Sequence, residues 1–133
     1  MFAIEVRDHI MIAHSFRGAV FGSAQALHGA TLIVDVAFIA KTLDVNGLVI
    51  DIGRAHKSLK AALAPLNYCN LDDLPGLKNT NTTTEFLSKH IFDQLAEAAR
   101  AGSLGRDARE IKAIRVTISE SHVARAWYEA PLW

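Results

Sequence analysis

Apolar and polar residues alternate from the start of the chain. Phe2, Ile4, Val6, Ile10, Ile12 and His14 share one parity, while Glu5, Arg7 and His9 take the other. A period of two with β-branched residues predicts a half-buried strand over 2–14. Residues 15–27, broken by Gly18 and Gly22, read as a loop. A second strand is predicted over 31–41. Leu32, Val34, Val36 and Phe38 line one face and Ile33, Ala37 and Ile39 the other, so it should lie centrally or be covered on both sides. Asn46-Gly47 is a hairpin-turn signal ahead of Leu48-Val49-Ile50.

The period then changes to that of a helix. Asp51 stands where an N-cap belongs, and Ile52, Ala55, Leu59, Ala62, Leu63 and Leu66 follow at helical spacing, with Pro65 ending or bending the last turn. Residues 67–81 form an irregular connector rich in Asn and Asp. Thr82 and Glu85 have capping-box spacing and open a second helix to about Ala101 that buries Leu87, Ile91, Leu95 and Ala98. After a polar loop, Ile114, Val116, Ile118 and Glu120 alternate as a third main strand, and a short strand spans roughly 123–128. Segregated helices and strands predict a single α+β domain over 1–133, an antiparallel sheet with two helices on one face. Its open edges carry few charges, so pairing between subunits into a closed homo-oligomer is expected.

Composition narrows the function classes. With 50% hydrophobic and 21% charged residues, the chain has the makings of a folded core. Fourteen basic residues balance fourteen acidic ones, which argues against a general binder of nucleic acid or anionic membrane. One cysteine, Cys69, excludes an intrachain disulfide. No run supplies the roughly 20 apolar residues of a membrane helix, and acidic residues interrupt the N-terminus before any signal-like apolar region. A cytoplasmic protein is the expectation.

Several short motifs occur together across the chain: Ala13-His14, His28-Gly29, Gly47-Leu48-Val49-Ile50-Asp51, Leu66-Asn67-Tyr68-Cys69-Asn70-Leu71-Asp72, Thr83-Thr84-Glu85, and Ser119-Glu120 before Tyr128. Their joint order resembles the 6-pyruvoyl-tetrahydropterin synthase and 6-carboxy-tetrahydropterin synthase family. The resemblance implies the T-fold (ββααββ), subunits that assemble a β-barrel, a hexamer, and active sites at subunit interfaces. It also implies three zinc-binding histidines. His14 matches the first and His28 the second, while Ala30 stands where His-Gly-His would place the third.

Catalytic zinc usually keeps three protein ligands and an open position, so His14 and His28 form an incomplete metal site and no cofactor is expected. His122 is the best spare donor, because His9 has the wrong parity and His56 and His90 fall on helices. Residues Gly22 to Leu27 lack the family's cysteine, and its Asp-His pair aligns with Asn67-Tyr68. Asparagine cannot shuttle protons near neutral pH, and an unactivated tyrosine does so poorly. Cys69 reads as a small apolar residue rather than a relocated nucleophile. No catalytic residue is therefore assigned.

The pterin anchor is matched. A carboxylate accepting two N–H donors from the guanidine-like edge of a pterin gives orientation and charge assistance. Glu120 aligns with that anchor, and Thr83, Thr84 and Glu85 with neighbouring contacts. By parity Glu120 faces the apolar side of its strand, where a carboxylate needs a partner. The resemblance thus implies a synthase-like protein that binds a pterin or purine-like ligand without the standard synthase reaction. Two alternatives stand beside it: an active zinc-dependent lyase with a rebuilt metal shell, and a non-catalytic subunit of a shared assembly.

Overall fold

A computed structural model describes residues 1–133. The strands are β1 (Phe2–His14), β2 (His28–Ala40), β3 (Cys69–Asn70), β4 (Ile111–Ser121) and β5 (Ala124–Ala130), and the helices are α1 (Ile52–Leu63) and α2 (Thr84–Arg100). They form one sheet in the order β3-β1-β2-β4-β5. All pairings are antiparallel except the short contact of β3 with β1. The expected α+β order is present, with α1 against β1 and α2 against β4 and β5.

The alternation seen in the sequence sets the two faces. Ile10 pairs with Leu32, Val6 with Val36, and Phe38 with Ile114, and these residues are buried beneath the helices with Leu59, Leu87, Ile91 and Leu95. The other face of the sheet carries no helix. There Asp35 on central β2 is buried, and Arg7 on β1 grips it through two hydrogen bonds of 2.7 and 3.0 Å. Trp127 on the same face is exposed, with the Arg115 guanidinium 4.8 Å from its ring centroid. Tyr128, of opposite parity, packs edge-on against Phe92 of α2.

Several expectations need correction. β2 begins at His28 rather than Thr31, so His28-Gly29-Ala30 lies wholly within the strand. Residues 19–25 form 3₁₀ turns. Asn46-Gly47 makes a turn, with Gly47 at φ +77, closed by the Asp44 N–H on the Leu48 carbonyl, but no hairpin of strands follows, because the other flanking backbone groups bond to side chains. The Asp44 carboxylate accepts N–H bonds from Asn46 and Leu48, and buried Arg106 donates to the carbonyls of Thr42, Leu48 and Val49. Asp51 caps α1, accepting from the Arg54 N–H at 2.8 Å. α1 ends at Leu63, before Pro65, though Leu66 is still buried. The connector hides β3, whose two residues were too few to register as a pattern.

Candidate functional site

The antiparallel register of β1 and β2 places His14 directly opposite His28, and Ile12 opposite Ala30. All four therefore project on the helix-covered face. The two imidazoles meet edge-on with ring centroids 4.6 Å apart, and Phe16 packs on both, 4.5 Å from His14 and 5.6 Å from His28. Phe21 of the 3₁₀ segment backs Phe16 at 4.7 Å.

Each imidazole has its Nδ1 engaged. His28 Nδ1 lies 2.9 Å from the Ala26 carbonyl. A carbonyl can only accept, so Nδ1 carries the proton there and the neutral ring keeps its lone pair on Nε2. His14 is buried, and its Nδ1 lies 3.0 Å from the hydroxyl of fully buried Thr82. A hydroxyl donates or accepts, so His14 can hold either tautomer. Burial and the neighbouring His28 push the His14 pKa below the usual imidazole value, while a hydrogen bond to the Thr82 backbone and the Asp72 carboxylate act in the opposite direction. Asp72 is also fixed, accepting from the Ser15 hydroxyl at 2.5 Å and more weakly from the Ser15 N–H at 3.3 Å.

The sequence reading missed Thr82, Asp72 and Phe16 as neighbours of the pair. The capping-box spacing predicts Thr82 as the cap of α2. Instead Thr83 is the N-cap, accepting from the Phe86 N–H at 3.1 Å, and Thr82 turns inward to His14. The signal lay in three consecutive threonines, only one of which a helix end can use. Thr84 donates to Glu85 Oε1 at 2.9 Å, and Glu85 is exposed.

Glu120 also differs from its expected setting. The β4–β5 register shifts between Ser119 and Ser121, and a bulge interrupts the strict alternation of facing on which the parity argument relied. Its carboxylate is exposed rather than turned into the apolar face. Asn67 and Tyr68 bind the edge of β1: Asn67 Oδ1 accepts from the Met11 N–H at 3.0 Å, and the Tyr68 N–H donates to the Met11 carbonyl at 2.7 Å. Cys69 is half-buried on β3. Arg17 is tied to the connector, its guanidinium donating to Asn79 and its backbone bonding Asn81.

His14 and His28 can supply two nitrogens of a metal shell, and engaged Nδ1 atoms are what such ligands usually have. Ala30, next on the same face, offers only a methyl group. No cluster of three or more His, Cys, Asp or Glu side chains suited to a metal occurs in the chain, so His122 in the β4–β5 turn does not join the pair. A three-histidine zinc shell does not fit these residues.

No helix is long and apolar enough to cross a membrane. No curated protein sequence matches the chain. Among solved structures, the fold is similar to Caenorhabditis elegans 6-pyruvoyl tetrahydropterin synthase, with a TM-score of 0.81 and 20% identity over 97% of this chain and 95% of that one. The Plasmodium vivax synthase gives a TM-score of 0.75 at 17% identity, over 98% of this chain and 99% of that one. The Plasmodium falciparum synthase gives 0.75 at 19%, over 97% and 98% respectively. At such identities these likenesses establish the fold. A family model for 6-pyruvoyl tetrahydropterin synthase also matches residues 3–131, and on that match the chain belongs to the 6-pyruvoyl tetrahydropterin synthase family.

Proposed function

We propose that this family member binds a pterin or purine-like ligand, with Glu120 as anchor and Thr83, Thr84 and Glu85 nearby, and does not carry out the standard synthase reaction. The carrying observation is the rung His14–His28 followed by Ala30, where the third nitrogen donor is replaced by a methyl group. Asn67 and Tyr68, aligned with the family's Asp-His pair, bind the β1 edge through a side-chain amide and a backbone N–H. These contacts use an amide oxygen and a backbone N–H, neither of which is a general acid or base. Glu120 is exposed and enters no ion pair within the chain, so its carboxylate is open to a ligand's N–H donors.

The open flanks of β1 and β5 support assembly into a homo-oligomer, a hexamer in this reading, because unpaired strand edges otherwise template uncontrolled association. Calorimetry with neopterin and biopterin tests the ligand. Binding weakened at least tenfold in Glu120→Gln is expected, and no binding to the native protein would sink the proposal.

One observation favours a second reading, an active zinc-dependent lyase. The Ala26 carbonyl leaves the His28 Nε2 lone pair available to a metal, and that of His14 is available in the tautomer whose Nδ1–H donates to Thr82. Metal analysis of protein prepared without chelator separates the two. About one zinc per chain, lost in His28→Ala, would favour the lyase.

A further inference from the structure

The end of the sheet remote from His14 and His28 carries its own concentration of charge. β1 and β2 pair from the His14–His28 rung to Phe2 opposite Ala40, a run of roughly 40 Å at about 3.4 Å per residue. Just past Ala40 the surface holds a cavity of about 870 Å³, within the size range of small-molecule sites. Four basic residues, Lys41, Arg106, Arg109 and Lys112, line it with two acidic ones, Asp44 and Glu110. The cavity thus carries a charge of +2 on a chain whose net charge is zero.

Both carboxylates already have partners in the fold. Glu110 accepts from Arg106 Nε at 2.8 Å, and Asp44 accepts the N–H groups of Asn46 and Leu48. Outside the wall, Asp107 is likewise engaged, accepting the Arg109 N–H at 2.9 Å. Lys41, Arg109 and Lys112 are exposed and enter no ion pair. They reach the cavity from three places: the residue after β2, a 3₁₀ turn over Ala108–Glu110, and β4. Ile39 pairs with Ala113 and Ala40 with Ile111, which leaves Lys112 as the extra residue of a bulge, and bulges re-aim side chains. Gathering unpaired like charges around one hollow raises their mutual repulsion, which an anion among them reverses.

We propose that this cavity is an anion site that takes a small phosphorylated compound of two or more negative charges. The Arg109 guanidinium suits two parallel N–H bonds to one phosphoryl group, while Lys41 and Lys112 act as point charges on the remaining oxygens. Thr42 and Asn46, also in the wall, add hydroxyl and amide donors. Phosphoryl groups concentrate charge and acceptor oxygens within reach of side chains from separate elements, whereas a monoanion leaves part of the +2 unmatched. Glu120, Thr83, Thr84 and Glu85 lie outside this wall, so the site goes beyond the pterin reading and is tested apart from it.

The test is calorimetric titration of the native protein with inorganic pyrophosphate, with citrate as a carboxylate of similar charge. Pyrophosphate should bind, and more weakly as salt is raised. Arg109→Gln and Lys112→Gln should each weaken it about tenfold, the loss of one charge-assisted hydrogen bond, and Lys41→Gln combined with Lys112→Gln should abolish it. Lys57→Gln, at an exposed position on α1 outside the cavity, should bind like the native protein. The replaced side chains are all exposed, so the variants should keep the native melting temperature. No pyrophosphate binding would overturn the proposal. So would an equal loss in Lys57→Gln, which would mean attraction by surface charge at large, or citrate binding as tight as pyrophosphate. Pyrophosphate binding lost in the cavity variants supports the site even where neopterin does not bind.

Discussion

Replacing Thr82 by valine removes one hydroxyl from a fully buried site and nearly preserves shape. The native hydroxyl lies 3.0 Å from His14 Nδ1, and both residues are buried, so water cannot take its place. A lost net hydrogen bond is worth about 1 kcal/mol, and an unpaired buried polar group adds roughly 1–3 kcal/mol. The methyl group recovers part of this through apolar burial, leaving an expected loss of about 1–2 kcal/mol. Unfolding entropy of about 2.1 cal/mol/K per residue over a chain of 133 residues makes each kcal/mol worth about 3.6 °C. Thr82→Val should therefore lower the melting temperature by about 4–7 °C, measured at one fixed protein concentration because self-association would make the value depend on it.

The same variant has a signature in pH. The folded His14 titrates below its unfolded value of about 6.5 because burial and His28 disfavour the charged ring. The unfolded chain thus binds a proton that the folded chain refuses. This group's stability contribution is full above about pH 6.5 and is lost as pH falls through that value toward the depressed folded one. The Thr82 influence that raises the folded pKa comes from its backbone, which valine keeps, so the acid destabilisation should persist in Thr82→Val. Ring-proton NMR of His14 reads this directly. A melting temperature within about 1 °C of native would refute the reasoning on the hydroxyl, and a folded His14 that titrates at or above about 6.5 would refute that on burial.

Ala30→His should place a third imidazole on the face that already carries His14 and His28, and mass spectrometry should find about one zinc per chain where the native protein holds little. No gain of metal would show that the pair is not oriented as ligands. Arg106→Leu should cost roughly 2–4 kcal/mol, since the carbonyls of Thr42 and Val49 lose their side-chain donor and that of Leu48 loses one of two. Hydrogen exchange should quicken over residues 42–50 and leave α2 protected. Uniform quickening would argue against a local tether.

The long strands and both helices were legible because each has a sustained period and a buried face. β1 is alternation from end to end, and α1 carries its cap, stripe and terminating proline in order. What escaped depends on partners remote in sequence. Two-residue β3 exists because Tyr68 and Asn67 find Met11, and no local pattern announces it. The stretch after Asn46-Gly47 reads as a strand until Arg106 is seen to hold its carbonyls. At the candidate site, the facing of His14 and His28 was readable from parity, whereas the inward turn of Thr82 was hidden among adjacent threonines. Glu120 is exposed beside a register shift of β4 against β5, which alternation alone does not announce.

The His14–His28 rung has a consequence for folding. The two strands are joined by the long segment from Ser15 to Leu27, which is not a tight turn of the kind that fixes register by itself. The alignment is set instead by which apolar residues face each other, Ile10 with Leu32 and Val6 with Val36. A slip of one residue would turn one strand's apolar set away from the helices. The same slip would part the imidazoles, so the edge-on ring contact can arise only in a chain whose sheet has settled correctly. The histidine resonances are thus a built-in gauge of native alignment, readable in any variant before a ligand is added.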